Sequence, residues 1–575
     1  MKSNNFLCAL ILIVSIMIVP NAFAQSLSDV PSENLAGAQQ TRFEQESDQK
    51  EKFNPPTKVP LPDDGILNEN DIKGADANIR FELTKIIVTG NQQISSDVIS
   101  SITNKHLNKQ VSLNDIREIA REVKNYYRSK GYVAAYVYVP PQTIANGVVE
   151  ITVIEGQIGS IFVEGNKWFS SKVIKRAIDV TADNVLFYNQ LRKGLNYINR
   201  KKDIKVKSVL KPGEREKTTD LYLQVEDDLP LHFGVDVNNL GTPNTGKTRW
   251  GLSGGYHNLF GQMDELNGRV QLGKGSVSVG SDYSYRIHET GTLLKLSYSH
   301  SDIDVGGPFE ALGVEGRATT YGFDILQPFY SSDHVDLNFN TGFDWKSIEN
   351  EILGRKVGRD ELRILNLGIN SEFRDKWGKT FFPNSLHFGF SSFLGANDKI
   401  DFNGSRVGTG GQFMIYRNSL IRYHRLPKGM TFMFRGQSQL TNDRLPSSEQ
   451  LRLGGAFSVR GYAEGEFLAD SGFYVTNELL IPSYFFPEDW KLPYAQKNLR
   501  EQIQGTVFFD VGHGRNRKSL VGESQHRTLA GAGLGVRVHL FDRVFARLQW
   551  ATPTGSDQRN GSDTAFYYGI SAEIL

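Results

Sequence analysis

Three groups of residues have types and spacings that could carry chemistry. The first is Gly241-Thr242-Pro243-Asn244-Thr245-Gly246-Lys247-Thr248, which fits the phosphate-loop pattern letter for letter. Such a loop holds phosphate only between a buried strand and a helix N-terminus, where backbone N–H groups and the helix dipole converge. Here Phe233, Val235 and Val237 alternate with polar residues upstream, and Trp250 to Leu259, with Gly251, Gly254 and Gly255, reads as a second strand. No helix pattern follows, so a hairpin loop is expected and nucleotide binding is not. The second group joins Leu453-Gly454-Gly455-Ala456-Phe457-Ser458-Val459-Arg460-Gly461-Tyr462 to Phe508-Phe509-Asp510-Val511-Gly512. A period of two puts Phe508, Asp510 and Gly512 on one face of a strand. An acid on such a wall needs compensation, and an arginine on an inserted loop supplies a planar, two-pronged partner. Two unrelated surface loops are the competing reading. The third group is the 11 histidines. They are scattered, without a His-x-x-x-His pair, and Ser458 lacks the Gly-x-Ser-x-Gly elbow of a nucleophile. No catalytic residue, metal or cofactor is expected.

The elements that must position these residues fall into four stretches. Lys2, the apolar run Phe6 to Val19 and Ala22-Phe23-Ala24 make residues 1–24 a signal peptide, cleaved between Ala24 and Gln25. The run is short of the ~20 residues that a spanning helix needs. Cys8, the one cysteine, leaves with it, so the exported chain has neither disulfide nor thiolate. Lys+Arg is 65 against Asp+Glu 64, a balance with no pull towards nucleic acid. A mean hydropathy of −0.36 excludes a helical membrane bundle but not a membrane β-barrel, whose strands are only half apolar.

Residues 25–78 read as a polar helix over about 32–52 followed by a proline-rich linker. A helix polar nearly all round cannot bury a face in a dry core; it is either disordered or lies in a wet cavity. A repeat follows. Val88-Thr89-Gly90-Asn91 through Val98-Ile99 matches Val163-Glu164-Gly165-Asn166 through Val173-Ile174, and the match continues downstream without a gap. Each copy reads strand, Gly-Asn turn, two helices, two strands. In the first, Ile116, Ile119, Ala120, Val123 and Tyr127 form the helix stripe, and Val133 to Val139 and Val148 to Ile154 are the closing strands. From about Leu229 the period changes to two, as in Val335, Leu337, Phe339, Thr341, Phe343 and Trp345, or Val544, Ala546, Leu548 and Trp550. A soluble sandwich and a membrane barrel compete. Charged and amide residues on the inward positions and aromatic pairs near strand ends (Phe329-Tyr330, Phe381-Phe382) favour the barrel. About 20 residues per strand and loop gives roughly 16 or 18 strands. Near the C-terminus Glu573 is out of place on the final apolar alternation, which leaves the register of the last strand open.

Two such repeats, a barrel, Val459-Arg460-Gly461-Tyr462 and Phe509-Asp510-Val511-Gly512 together resemble the TpsB transporters of two-partner secretion, the haemolysin-activator type. The likeness covers about residues 80–575, and the repeats resemble POTRA (polypeptide-transport-associated) domains. Asn239, Gly241, Thr245-Gly246 and Asn258-Leu259-Phe260-Gly261 resemble the first barrel hairpin of that family. The resemblance implies α+β POTRA domains at 79–156 and 157–228 in the periplasm. It implies an antiparallel outer-membrane barrel of 16 strands at 229–575, in a Gram-negative bacterium. Arg460 would anchor a loop folded into the barrel, with Asp510 its wall partner beside Gly512. Gly461 would allow the close approach and Tyr462 would pack at the tip. The N-terminal helix would plug the pore. The implied partner is an unfolded, exported TpsA-like protein (haemolysin, adhesin or contact-dependent toxin), moved without nucleotide. Outer-membrane lipid is the other expected partner; nucleic acid is not. An outer-membrane barrel-assembly factor of the same superfamily is the alternative, although such relatives usually carry more POTRA copies.

Overall fold

The computed structural model describes residues 36–51, 63–64 and 80–574, apart from 216–217, 289, 333, 402, 494–496, 520–522, 542 and 556–563. The signal peptide, the Ala24–Gln25 cleavage point and the proline-rich stretch lie outside the described residues.

The first repeat is built on the helix Leu113–Ser129. Its stripe of Ile116, Ile119, Ala120, Val123 and Tyr127 is buried, and Ser112 with Asp115 closes a capping box at its start. It packs on a sheet in which Lys85–Thr89 runs parallel to Val148–Ile154 and Tyr136–Tyr138 runs antiparallel. The expected strand Val133 to Val139 is thus cut to three residues. A turn in which Ala135 N–H donates to Tyr132 C=O consumes its start. The second repeat pairs Gln157–Glu164, Ile204–Pro212 and Thr218–Asp227 under the helices Ser171–Ile178 and Tyr188–Asn199.

The copies share the plan of their turns. Gly90 and Gly165 both take left-handed φ, +85° and +90°. A side chain on either would strike a carbonyl of the neighbouring strand, Val153 or Val225. Asn91 and Asn166 each donate to a carbonyl three residues on. The next backbone N–H groups donate to one carboxylate, Glu155 in the first copy and Asp227 in the second. A sequence repeat that reproduces a strained turn and its carboxylate receptor is one folding unit used twice.

Sixteen strands among the described residues close into an antiparallel barrel. The first, Leu231–Asn238, has 8 residues, and Val314–Ser331, Val335–Ile352 and Arg355–Asp375 have 18, 18 and 21. The seam pairs the first strand with the last, Ala565–Glu573, over Gly234↔Glu573 to Asn238↔Gly569. The outer face is apolar: Trp250 is 62 % exposed and Leu534 56 %. The inner face buries Gln271, Arg269, Asp236, Thr476, Glu478 and Asp510. Exposed apolar side chains all round a closed sheet need lipid against them, and a buried polar interior needs water, which removes the sandwich reading. In the last strand the outward positions are Phe566, Tyr568, Ile570 and Ala572, so Glu573 shares the inward face with Tyr567. The period is kept, and this sets the register that the alternation left open. There Glu573 meets Lys202 and His232 at the rim beside the second repeat.

Candidate functional site

Two segments that are not part of the wall occupy the bore. One is the helix Ala36–Glu51, the described part of the expected 32–52 helix. Its polarity suits the place. Gln40 Nε2 donates to Ser299 Oγ at 2.7 Å and to Thr320 Oγ1 at 2.8 Å. Arg249 donates to Gln39 Oε1 at 2.7 Å, and Ser299 Oγ donates to Glu44 at 2.8 Å. Gln39, Gln40 and Arg42 are buried although polar, which only a polar cavity allows. Arg249 stands directly after the false phosphate loop. The structure forms Gly241–Thr248 as the hairpin loop between Leu231–Asn238 and Arg249–Tyr256, closed by a Thr242–Thr245 hydroxyl bond and the Gly241 N–H to Lys247 C=O bond.

The other segment is the loop 441–470, between the strands Thr431–Leu440 and Ser471–Pro482. Its two arms pair through Leu451–Leu453 and Phe467–Ala469. Leu451, Leu453, Val459, Tyr462 and Phe467 then pack with Tyr474 and Leu529 of the wall. At the tip the structure brings Arg460 and Asp510 together. Arg460 Nε donates to Asp510 Oδ2 at 2.7 Å and Nη2 to Oδ1 at 2.8 Å, a two-pronged bond, while its backbone N–H reaches Oδ2 at 3.1 Å. The third prong, Nη1, donates to Glu478 Oε2 at 2.9 Å. The guanidinium lies 3.4 Å from the centre of the Phe508 ring. Arg460 is 3 % exposed, Asp510 0 % and Glu478 1 %. Arg537 stands 2.6 Å from the second Glu478 oxygen, so two carboxylates face two guanidiniums.

Backbone shape lets the tip reach the wall. Gly461 has φ +100°, and a side chain there would enter the Thr552–Pro553 backbone. Its N–H donates to Tyr567 Oη, which in turn donates to Tyr462 C=O; Tyr462 Oη donates to Ala530 C=O at 3.1 Å. Gly512 leaves room for Val459 and Leu453, and Gly531 for the Arg460 carbonyl.

Sequence reasoning named Arg460, Gly461, Tyr462, Asp510 and Gly512, and the structure gathers all five at this tip. It missed Glu478, Arg537, Tyr567 and Gly531. Glu478 is an acid inside the strand Ser471–Pro482, whose neighbours of like parity are Thr476 and Tyr474, and that placement was the available signal. Gly531-Ala532-Gly533-Leu534-Gly535, a glycine on every inward position, was another. Asp203, His232 and His257, distant in the chain, come together where the second repeat meets the barrel.

Docking of that repeat on the barrel is ionic. Lys201 Nζ donates to Glu265 at 2.6 Å, Arg200 pairs with Asp336, and Lys202 with Glu573. Burial alone would lower the Lys201 pKa, but the Glu265 carboxylate reverses this and holds the ammonium charged beyond its usual range.

With this geometry in place, the comparisons with known proteins can be read. Residues 217–538 match the family described as haemolysin secretion/activation protein ShlB/FhaC/HecB, and residues 81–156 match the POTRA domain, ShlB-type. The heme/hemopexin transporter protein HuxB of Haemophilus influenzae (strain 86-028NP) is 26 % identical over 478 residues, covering 79 % of this chain and 81 % of that protein. The outer membrane transporter CdiB of Dickeya dadantii (strain 3937) is 23 % identical over 536 residues, 90 % of either chain. Among solved structures, CdiB from Escherichia coli superposes with a TM-score of 0.74 at 19 % identity, over 96 % of this chain and 100 % of the other.

Proposed function

The chain belongs to the haemolysin secretion/activation (ShlB/FhaC/HecB) family, the TpsB outer-membrane transporters of two-partner secretion, and from that premise we propose how it works. Its POTRA domains, on the periplasmic side, catch an unfolded, exported TpsA-like protein, and the barrel conducts that chain to the cell surface. Open strand edges on the POTRA sheets suit capture of an extended segment by strand addition. No nucleotide is spent; biased binding and folding outside supply the direction.

The observation that carries this reading is the content of the bore. Its interior is polar, and it is filled by a helix and a loop that hang from the wall without belonging to it. Removing the helix costs hydrogen bonds that water or a passing backbone can replace. The Arg460–Asp510–Glu478 cluster holds the loop tip as the anchor against which that passage opens. The cargo class is that of the family: a haemolysin, an adhesin or a contact-dependent toxin.

The test is deletion of 79–156 or of 157–228, the boundaries proposed for the two POTRA domains, with surface release of the partner as the readout. Loss of release with a correctly inserted barrel is expected; unchanged release would sink the capture role. Depletion of many outer-membrane proteins on deleting the gene would instead mark a barrel-assembly factor. That reading draws on the likeness of fold to BamA from Haemophilus ducreyi, with a TM-score of 0.52 at 13 % identity.

A further inference from the structure

At the joint between the second repeat and the barrel, three stretches of chain deliver metal-ligating side chains to one point. Asp203 follows the helix Tyr188–Asn199, His232 opens the first barrel strand, and His257 begins the turn after the second. One ligand atom of each lies within 4.8 Å of the others. Asp203, 4 % exposed, offers both oxygens: Oδ2 lies 2.8 Å from His257 Nδ1, and Oδ1 lies 2.6 Å from His232 Nε2. The shorter contact pairs His232 with the same carboxylate.

The outward-facing ring nitrogens are already engaged. His232 Nδ1 meets Glu573 Oε1 at 3.0 Å, and His257 Nε2 meets Asn267 Oδ1 at 3.0 Å. A metal-bound imidazole is held in this way, with its far N–H given to a carboxylate or carbonyl that fixes ring and tautomer. Two histidines and one carboxylate, each oriented from behind, form a donor set suited to zinc-like ions and too rich in nitrogen for Mg2+ or Ca2+.

We propose that Asp203, His232 and His257 form a binding site for a divalent transition-metal ion, with Zn2+ as its reference occupant, that ties the second repeat to the barrel rim. Tetrahedral ligands at about 2.0–2.1 Å from the ion stand roughly 3.3 Å apart. The contacts at 2.6 and 2.8 Å therefore open by less than about 1 Å, within the reach of side-chain rotation. The site spans the seam as well, because Glu573 sits on the last strand and backs a ligand on the first. A bound ion fixes the angle between the POTRA arm and the pore mouth and holds the closing strands in register.

The experiment uses the full-length chain in detergent, carrying no polyhistidine tag, stripped with a chelator and titrated with Zn2+ against a chromophoric indicator. One equivalent of Zn2+ per chain is expected, undisturbed by a hundred-fold excess of Mg2+. His232→Ala and His257→Ala each lower the affinity at least a hundred-fold. Asn267→Leu, which keeps all three ligands, lowers it about ten-fold or more, the scale of a lost outer partner. Heat-modifiability on gels verifies that each variant holds a folded barrel. Zn2+ is also expected to slow amide exchange at 200–204 and 231–234 in the parent chain and not in His257→Ala. Binding of less than half an equivalent overturns the proposal, and so does unchanged affinity in both histidine variants. None of these readouts depends on secretion.

Discussion

The helix Ala36–Glu51 and the loop 441–470 share one bore, yet they are held there by different forces. The helix meets Ser299, Thr320 and Arg249 through the amides of Gln39 and Gln40. The neutral bonds are worth about 0.5–1.5 kcal/mol net each and the one from Arg249 about 1.5–3, because water offers nearly the same bond in their place. The loop tip meets the wall through an arginine and two carboxylates sealed from water, on top of an apolar cluster. Breaking one member leaves an uncompensated buried charge, at about 3–5 kcal/mol. The comparison separates a segment held by exchangeable hydrogen bonds from one held by a buried ion cluster.

The largest expected break is Arg460→Ala. It strips Asp510 of its two-pronged partner and leaves Glu478 with Arg537 alone, and surface release of the cargo should fall at least ten-fold. The barrel itself should remain heat-modifiable, since none of its ladders is touched. Arg460→Lys should rescue little, because a point charge cannot span two carboxylates. Next comes Gly512→Leu, which drives a side chain into Val459 and Leu453. Overpacking of about 1–3 kcal/mol should loosen the loop, read as faster proteolysis within 454–466. Gln40→Ala should sharpen the contrast from the other side. It removes two neutral bonds, so ion conductance in planar bilayers should rise several-fold while secretion persists. If secretion fell as far as with Arg460→Ala, the two segments would not differ in role.

The smallest effect is a control outside the bore. Ser112→Ala removes the capping box of Leu113–Ser129, about 0.5–2 kcal/mol, and should leave conductance unchanged. Bonds from the Ser112 backbone N–H and hydroxyl hold the Asp115 carboxyl below its ordinary range. A depressed carboxylate stabilises above its unfolded pKa, and that stability drains away as pH falls through the folded one. Protection of the first-turn amides, measured relative to their intrinsic exchange rates, should therefore fall below about pH 4.

What could be read from the chain follows the range of the interactions. Strand alternation is local, so the barrel and its aromatic edges were legible residue by residue. The repeat was legible because Gly90 and Gly165 solve one backbone problem twice. Arg460 and Asp510 stood out as charges where the local pattern asks for neither, and their resemblance to a known pair joined them. Glu478 is an equally buried acid, but it sits in a strand whose alternation hides it, and only closure puts it beside Arg460. The register at Glu573 was left open because a strand end has too few residues to fix its phase. Asp203, His232 and His257 were invisible as a set, since a turn, a strand start and a hairpin had to be folded before they met.

The unequal strand lengths shape the doorway. At ~3.4 Å per residue and a tilt near 40°, Arg355–Asp375 climbs to roughly 50 Å, about twice the apolar band of an outer membrane. Leu231–Asn238, at 8 residues, climbs only about 21 Å and falls short of that band. The wall is therefore tallest away from the seam and lowest where its first strand meets its last.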